Sequence, residues 1–161
     1  MLTMLKKNLK LLLAAGIPLA VVLAALLSTF AVFVVMSILF FSGIIKVGQK
    51  FRSFMFTVLI SVFFISLIFM LLALFLPSVT AMITHQPIFA AISVLFSVIM
   101  IIVASLMLLY NFSIIKESVD RGLDKTYEWY GAFALTVTLI WLYMEFLRLF
   151  LKLAALFGRR R

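Results

Sequence analysis

The chain has 161 residues, of which 67% are hydrophobic and only 12% charged, and its formal net charge is +9. That balance excludes a water-soluble globular core and reads as an integral membrane protein of one domain. The absence of cysteine excludes disulfides and thiolate chemistry, the single histidine excludes a histidine-rich metal cluster, and the basic surplus lacks the interleaved aromatics that single-stranded nucleic acid needs.

A short basic lead with Lys6, Lys7 and Lys10 precedes an apolar run from Leu11 to Phe41. The run is too long for a signal-peptide core and ends in no small-residue cleavage site, so it is expected to stay. At about 1.5 Å rise per residue it also exceeds one ordinary crossing. Gly16-Ile17-Pro18 is the expected break, which makes residues 8–18 an interfacial or partly inserted helix and residues 19–41 the first span. A polar turn with Lys46, Lys50 and Arg52 leads to a second span over 54–76. The following turn, Pro77 to Pro87, has no Lys, Arg, Asp or Glu and contains His85, read as a plain loop residue with at most a minor pH role. The third span covers 88–110. A connector of about 19 residues, Phe112 to Tyr130, carries Glu117, Asp120, Arg121, Asp124 and Lys125, an alternation that solvates a short helix. The last span, 131–157, ends before Arg159-Arg160-Arg161.

Charge bias puts the two basic loops in the cytoplasm and the uncharged loop around His85 outside. Single crossings by both terminal segments would then send Lys6, Lys7, Lys10 and the arginine tail outside, against the same rule. Either the first apolar run is a hairpin and the last stretch re-entrant, or the loops outvote the termini. The lack of Gly and Pro between Ala132 and Phe157 argues against a turn there.

Within the last span Thr138, Trp141, Glu145, Arg148 and Lys152 recur at steps of three or four and form one helical stripe that must face protein or water. In the bland reading Glu145 and Arg148 neutralise one another while Lys152 snorkels to the headgroups. In the functional reading the charge on Glu145 varies with pH, which makes it a candidate gate with Arg148 as its counter-charge. Asn111, at the end of the third span, reads as a helix cap or as a partner for Glu145. Tyr127, Trp129 and Tyr130 stand where aromatic rings anchor in the interface.

The run Tyr127-Glu128-Trp129-Tyr130-Gly131-Ala132-Phe133, followed by Val137 to Leu149 with Trp141 and Glu145, resembles the C-terminal signature of the YccA-type branch of the Bax inhibitor family. Ser28 to Phe33, Gly43 to Val47 with Lys50-Phe51-Arg52, and Ala104 to Asn111 are similar to further family stretches, so that the likeness runs from Ala25 to Leu153. It implies an all-α membrane protein, a bundle of four to five transmembrane helices resembling the C-terminal part of that fold, in a bacterial cell membrane. The family is associated with pH-sensitive calcium leak, with protection from stress and with restraint of a membrane-bound AAA protease. Its ion path is closed by two acids. By resemblance Glu145 matches the second, whereas the first falls on Asn111, and Ser113 and Lys116 stand at neighbouring positions that are often acidic. An amide facing one carboxylate lacks the coupled titration of two acids and offers a divalent cation less charge.

Relative to the family the chain lacks leading helices, so either the Leu11 to Ala20 helix or a second copy in a homo-oligomer is expected to cover the surfaces they would pack on, or the chain is a truncated remnant of limited activity. Two functions follow. One is a pH-modulated calcium or cation leak through Glu145 and Asn111, with calcium as cargo and no cofactor. The other is a non-conducting interaction protein that modulates a membrane protease or another partner. No Ser-His, HExxH, phosphate-loop or cysteine arrangement suggests an enzyme.

Overall fold

The computed structural model describes residues 1–158, the Leu12 side chain excepted; the arginine tail whose orientation the charge rule addressed lies outside the described residues. These residues form five helices: α1 (Leu2–Phe41), α2 (Gln49–Phe75), α3 (Pro77–Thr84), α4 (Pro87–Asp120) and α5 (Lys125–Gly158). Four of them, α1, α2, α4 and α5, are long and apolar enough to cross a membrane. The chain is an all-α, multi-pass membrane protein.

Three boundaries differ from the sequence reading. The break expected at Gly16-Ile17-Pro18 does not occur, and α1 runs as one helix of 40 residues with Pro18 inside it. Proline removes one backbone bond, and in an apolar setting the remaining bonds have no better alternative than the helix. The uncharged turn contains α3, which starts on Pro77, a residue preorganised for a first helical turn. The connector before the last span shrinks to Arg121–Asp124, because α4 continues past its apolar run to Asp120. Its end is closed by Gly122 at φ +61°, with the Leu123 N–H donating to the Ser118 carbonyl at 3.1 Å, a Schellman-type stop.

Helices α4 and α5 form an antiparallel hairpin, and α1 lies against both. Ala104, Leu108, Phe112 and Leu142 make the core, with Val32, Phe33 and Met36 of α1 packed on it. The Phe33 and Phe40 rings both lie 5.8 Å from Phe112. Lipid is as apolar as leucine, so this packing stabilises through many dispersion contacts of about 0.1–0.2 kcal/mol each rather than through removal from water. The helices approach closely at Gly131, where an added Cβ would sit 2.7 Å from Ile115 Cγ1. Met55 is the one buried residue of α2, which otherwise turns apolar side chains outward.

Candidate functional site

The stripe on α5 faces the hairpin interior along part of its length. Thr138 and Glu145 are buried, the latter only 3% exposed, while the Arg148 side chain is 60% exposed. Glu145 Oε1 accepts from Arg148 Nη1 at 3.2 Å and from Trp141 Nε1 at 3.3 Å, both one turn away on the same helix. Among the described residues Oε2 accepts no hydrogen bond. Lys152 departs from the snorkelling expected of it. Its ammonium crosses to α4 and donates to Ser97 Oγ at 2.7 Å and to the Ser93 carbonyl at 2.9 Å. Two oxygen acceptors inside the protein compete successfully with distant headgroups for a long, flexible cation.

Asn111 is buried too, but its amide is turned away from Glu145. Its Nδ2 donates to Thr138 Oγ1 at 2.7 Å and to the Ala134 carbonyl at 3.3 Å, and the Thr138 hydroxyl donates to that same carbonyl at 2.9 Å. The Asn111–Thr138 and Ser97–Lys152 pairs fix the register of the hairpin. Ala104 lies midway between Ser97 and Asn111, as Glu145 does between Thr138 and Lys152, so a fully buried alanine of α4 stands level with the carboxylate. Two helical turns, about 10 Å of axial rise, separate Thr138 from Glu145. The hairpin therefore pairs Asn111 with a hydroxyl and Glu145 with its own helix. Of the motif residues, Tyr127, Trp129 and Tyr130 are exposed at the start of α5, Glu128 lies in the first turn, and Trp141 is half-buried against the core.

A third polar cluster joins residues that the sequence reading kept apart. Arg52, at the start of α2, donates through Nη2 to Ser113 Oγ at 2.9 Å and to Glu117 Oε2 at 2.7 Å. Arg121 pairs with the other oxygen of Glu117 at 2.6 Å. Glu117 lies beyond the apolar run of α4, and the Arg52 hydrogen bond, followed by the charges of Arg121 and Arg52, holds its carboxyl below the ordinary value despite some desolvation. The Glu117–Arg121 spacing of four was readable as a helical pair; the contact with Arg52, 65 positions away, had no sequence signal.

The described residues contain no group of three or more His, Asp or Glu side chains placed to hold a metal ion. A family profile described as Bax inhibitor 1 like matches residues 2–155, nearly the whole chain. The chain belongs to this Bax inhibitor-type family. No curated protein and no solved structure matches it. Its last helix holds one buried acid, Glu145, and the amide of Asn111 on α4 is bound to Thr138.

Proposed function

We propose that this family member is a non-conducting protein of a bacterial cell membrane, acting through contact with a membrane partner such as the protease that the family resemblance implies. The observation that carries the reading is the charge balance of the α5 stripe. Glu145, its one carboxylate, is flanked by Arg148 and Lys152, and Asn111 spends its amide on Thr138. Calcium requires roughly six to eight oxygen ligands with anionic carboxylates among them. Here one carboxylate oxygen is committed to an arginine, a second cation lies two turns on, and a buried alanine stands opposite. That environment repels a partly dehydrated divalent cation. Outward-facing apolar side chains on α2 supply surface for lipid or for another helix.

The pH-modulated leak, with Glu145 as gate and Asn111 as its neutral partner, is favoured by one specific observation. Glu145 Oε2 accepts no hydrogen bond among the described residues and so leaves a carboxylate oxygen of a buried residue open to a cation. Calcium flux into liposomes holding the purified chain, at about pH 6 and about pH 8, separates the two readings. The expected wild-type flux equals that of empty liposomes at both values and stays there in Glu145→Gln. A flux above that baseline that changes with pH and disappears in Glu145→Gln overturns the non-conducting reading.

A further inference from the structure

Where the turn after α1 folds back on the end of α4 there is an open cavity of about 640 Å³, outside the apolar part of the bundle. Its walls have two characters. Lys46, Arg52, Lys116 and Arg121 bring four cations to it from the α1–α2 turn, the start of α2 and the end of α4, against the two carboxylates Glu117 and Asp120. Phe40, Ile45 and Val47 supply an apolar side at and just past the end of α1, next to its apolar run.

The arginines and the lysines play different parts. Arg52 and Arg121 are engaged by Glu117. That lock fixes the cavity's shape while leaving their remaining N–H groups to point elsewhere. Lys46 and Lys116 are exposed and form no ion pair among the described residues. The first turn of α2, next to them, contains no acidic residue and no side-chain cap, so its backbone N–H groups add to the positive field. The cavity thus has surplus positive charge and one apolar wall beside the end of α1.

We propose that this cavity binds a phosphate group, and specifically the headgroup phosphate of an anionic membrane lipid, with Lys46 and Lys116 as its direct contacts and Arg52 as the positioning residue. A phosphate accepts from several convergent donors, as Lys and Arg provide. A phosphodiester tethered to acyl chains also uses the apolar wall, which a free ion would leave unused. Basic pockets between membrane helices at the headgroup level are the setting in which such lipids are held.

The test is native mass spectrometry of the full chain in mild detergent, with phosphatidylglycerol or phosphatidylcholine added. The expected result is retention of phosphatidylglycerol, about fivefold weaker in either Lys46→Gln or Lys116→Gln and about 25-fold weaker in the double variant. Lys6→Gln/Lys7→Gln removes the same amount of charge from the other end of α1 and is expected to retain lipid like the wild type. Equal weakening by the two double variants reduces the effect to overall charge and overturns the site. Equal retention of the two lipids overturns it as well. Inorganic phosphate is the third arm: if phosphate alone raises the thermal midpoint in a Lys46- and Lys116-dependent way while phosphatidylglycerol does not, the lipid assignment is overturned. Should the Lys46/Lys116 double variant not fold, the two single variants decide the matter.

Discussion

Glu117 gives one oxygen to Arg52 from α2 and the other to Arg121 just past the end of its own helix, so this carboxylate joins Ser113 in fastening the start of α2 to α4. Its proton-binding is depressed on folding, chiefly by the Arg52 hydrogen bond. A carboxyl of lowered affinity for protons favours the folded state above its ordinary value of 4.5 and loses that contribution as the pH falls through the lower, folded value. Acidification from neutrality is therefore expected to leave the distance between spin labels at Ser53→Cys and Ser118→Cys unchanged until the pH drops below 4.5, and then to lengthen it. In Glu117→Gln the distance is expected to be long at neutral pH and insensitive to acid. An acid response as large in that variant as in the wild type would assign the change to other groups. Neither this contact nor the Asn111–Thr138 bond was legible in the sequence. Periodicity says which residues of one helix share a face, and the level at which two helices meet is settled only by packing. Glu145 was legible as buried because a carboxyl amid Leu, Phe and Trp has few other places to go; its partner on α4 was not.

At the scale of an element, hydropathy located all four long helices while misplacing their ends. The apolar run of α4 stops near Tyr110, yet its backbone stays helical to Asp120 because pairs such as Glu117–Arg121 stabilise further turns in water. Pro18 carried a strong stop signal and lost to the backbone's need for bonds in an apolar medium. Gly131 was part of the motif that suggested the family, and its physical role is steric: it lets α5 meet Ile115 of α4 with no Cβ between them. Gly131→Ala is expected to force Ile115 or the helix aside and to destabilise the hairpin by about 1–3 kcal/mol, read from the denaturation midpoint in detergent. Ile115→Ala deletes the atoms that the new methyl would strike, so Gly131→Ala is expected to cost much less in that background. Equal costs in the two backgrounds would show that the glycine matters for backbone freedom and not for closeness.

For the whole molecule, the Arg52–Glu117 contact brings the α1–α2 turn and the α4–α5 turn to one end, and unbroken α1 carries Lys6, Lys7 and Lys10 to the opposite end, with α3. Among the described residues no hairpin relieves the conflict with the positive-charge rule, so a single crossing by α1 is expected to leave the N-terminal lysines on the side opposite the basic loops. The chain has no cysteine, which makes the arrangement directly measurable. In sealed vesicles Ser42→Cys and Ser118→Cys are expected to react with an impermeant thiol reagent from one side, and Thr3→Cys and Thr80→Cys from the other. Labelling of Thr3→Cys together with Ser118→Cys would mean that α1 does not cross once. The tightest packing lies in the α4–α5 hairpin, on which α1 closes, and this has a consequence for biosynthesis. Translation at roughly 5–20 residues per second delivers α5 several seconds after α1 has left the ribosome. During that interval α1 lacks the α4–α5 hairpin on which it packs and must survive as a lipid-solvated rod, so a nascent chain stalled before α5 is a ready substrate for membrane quality control.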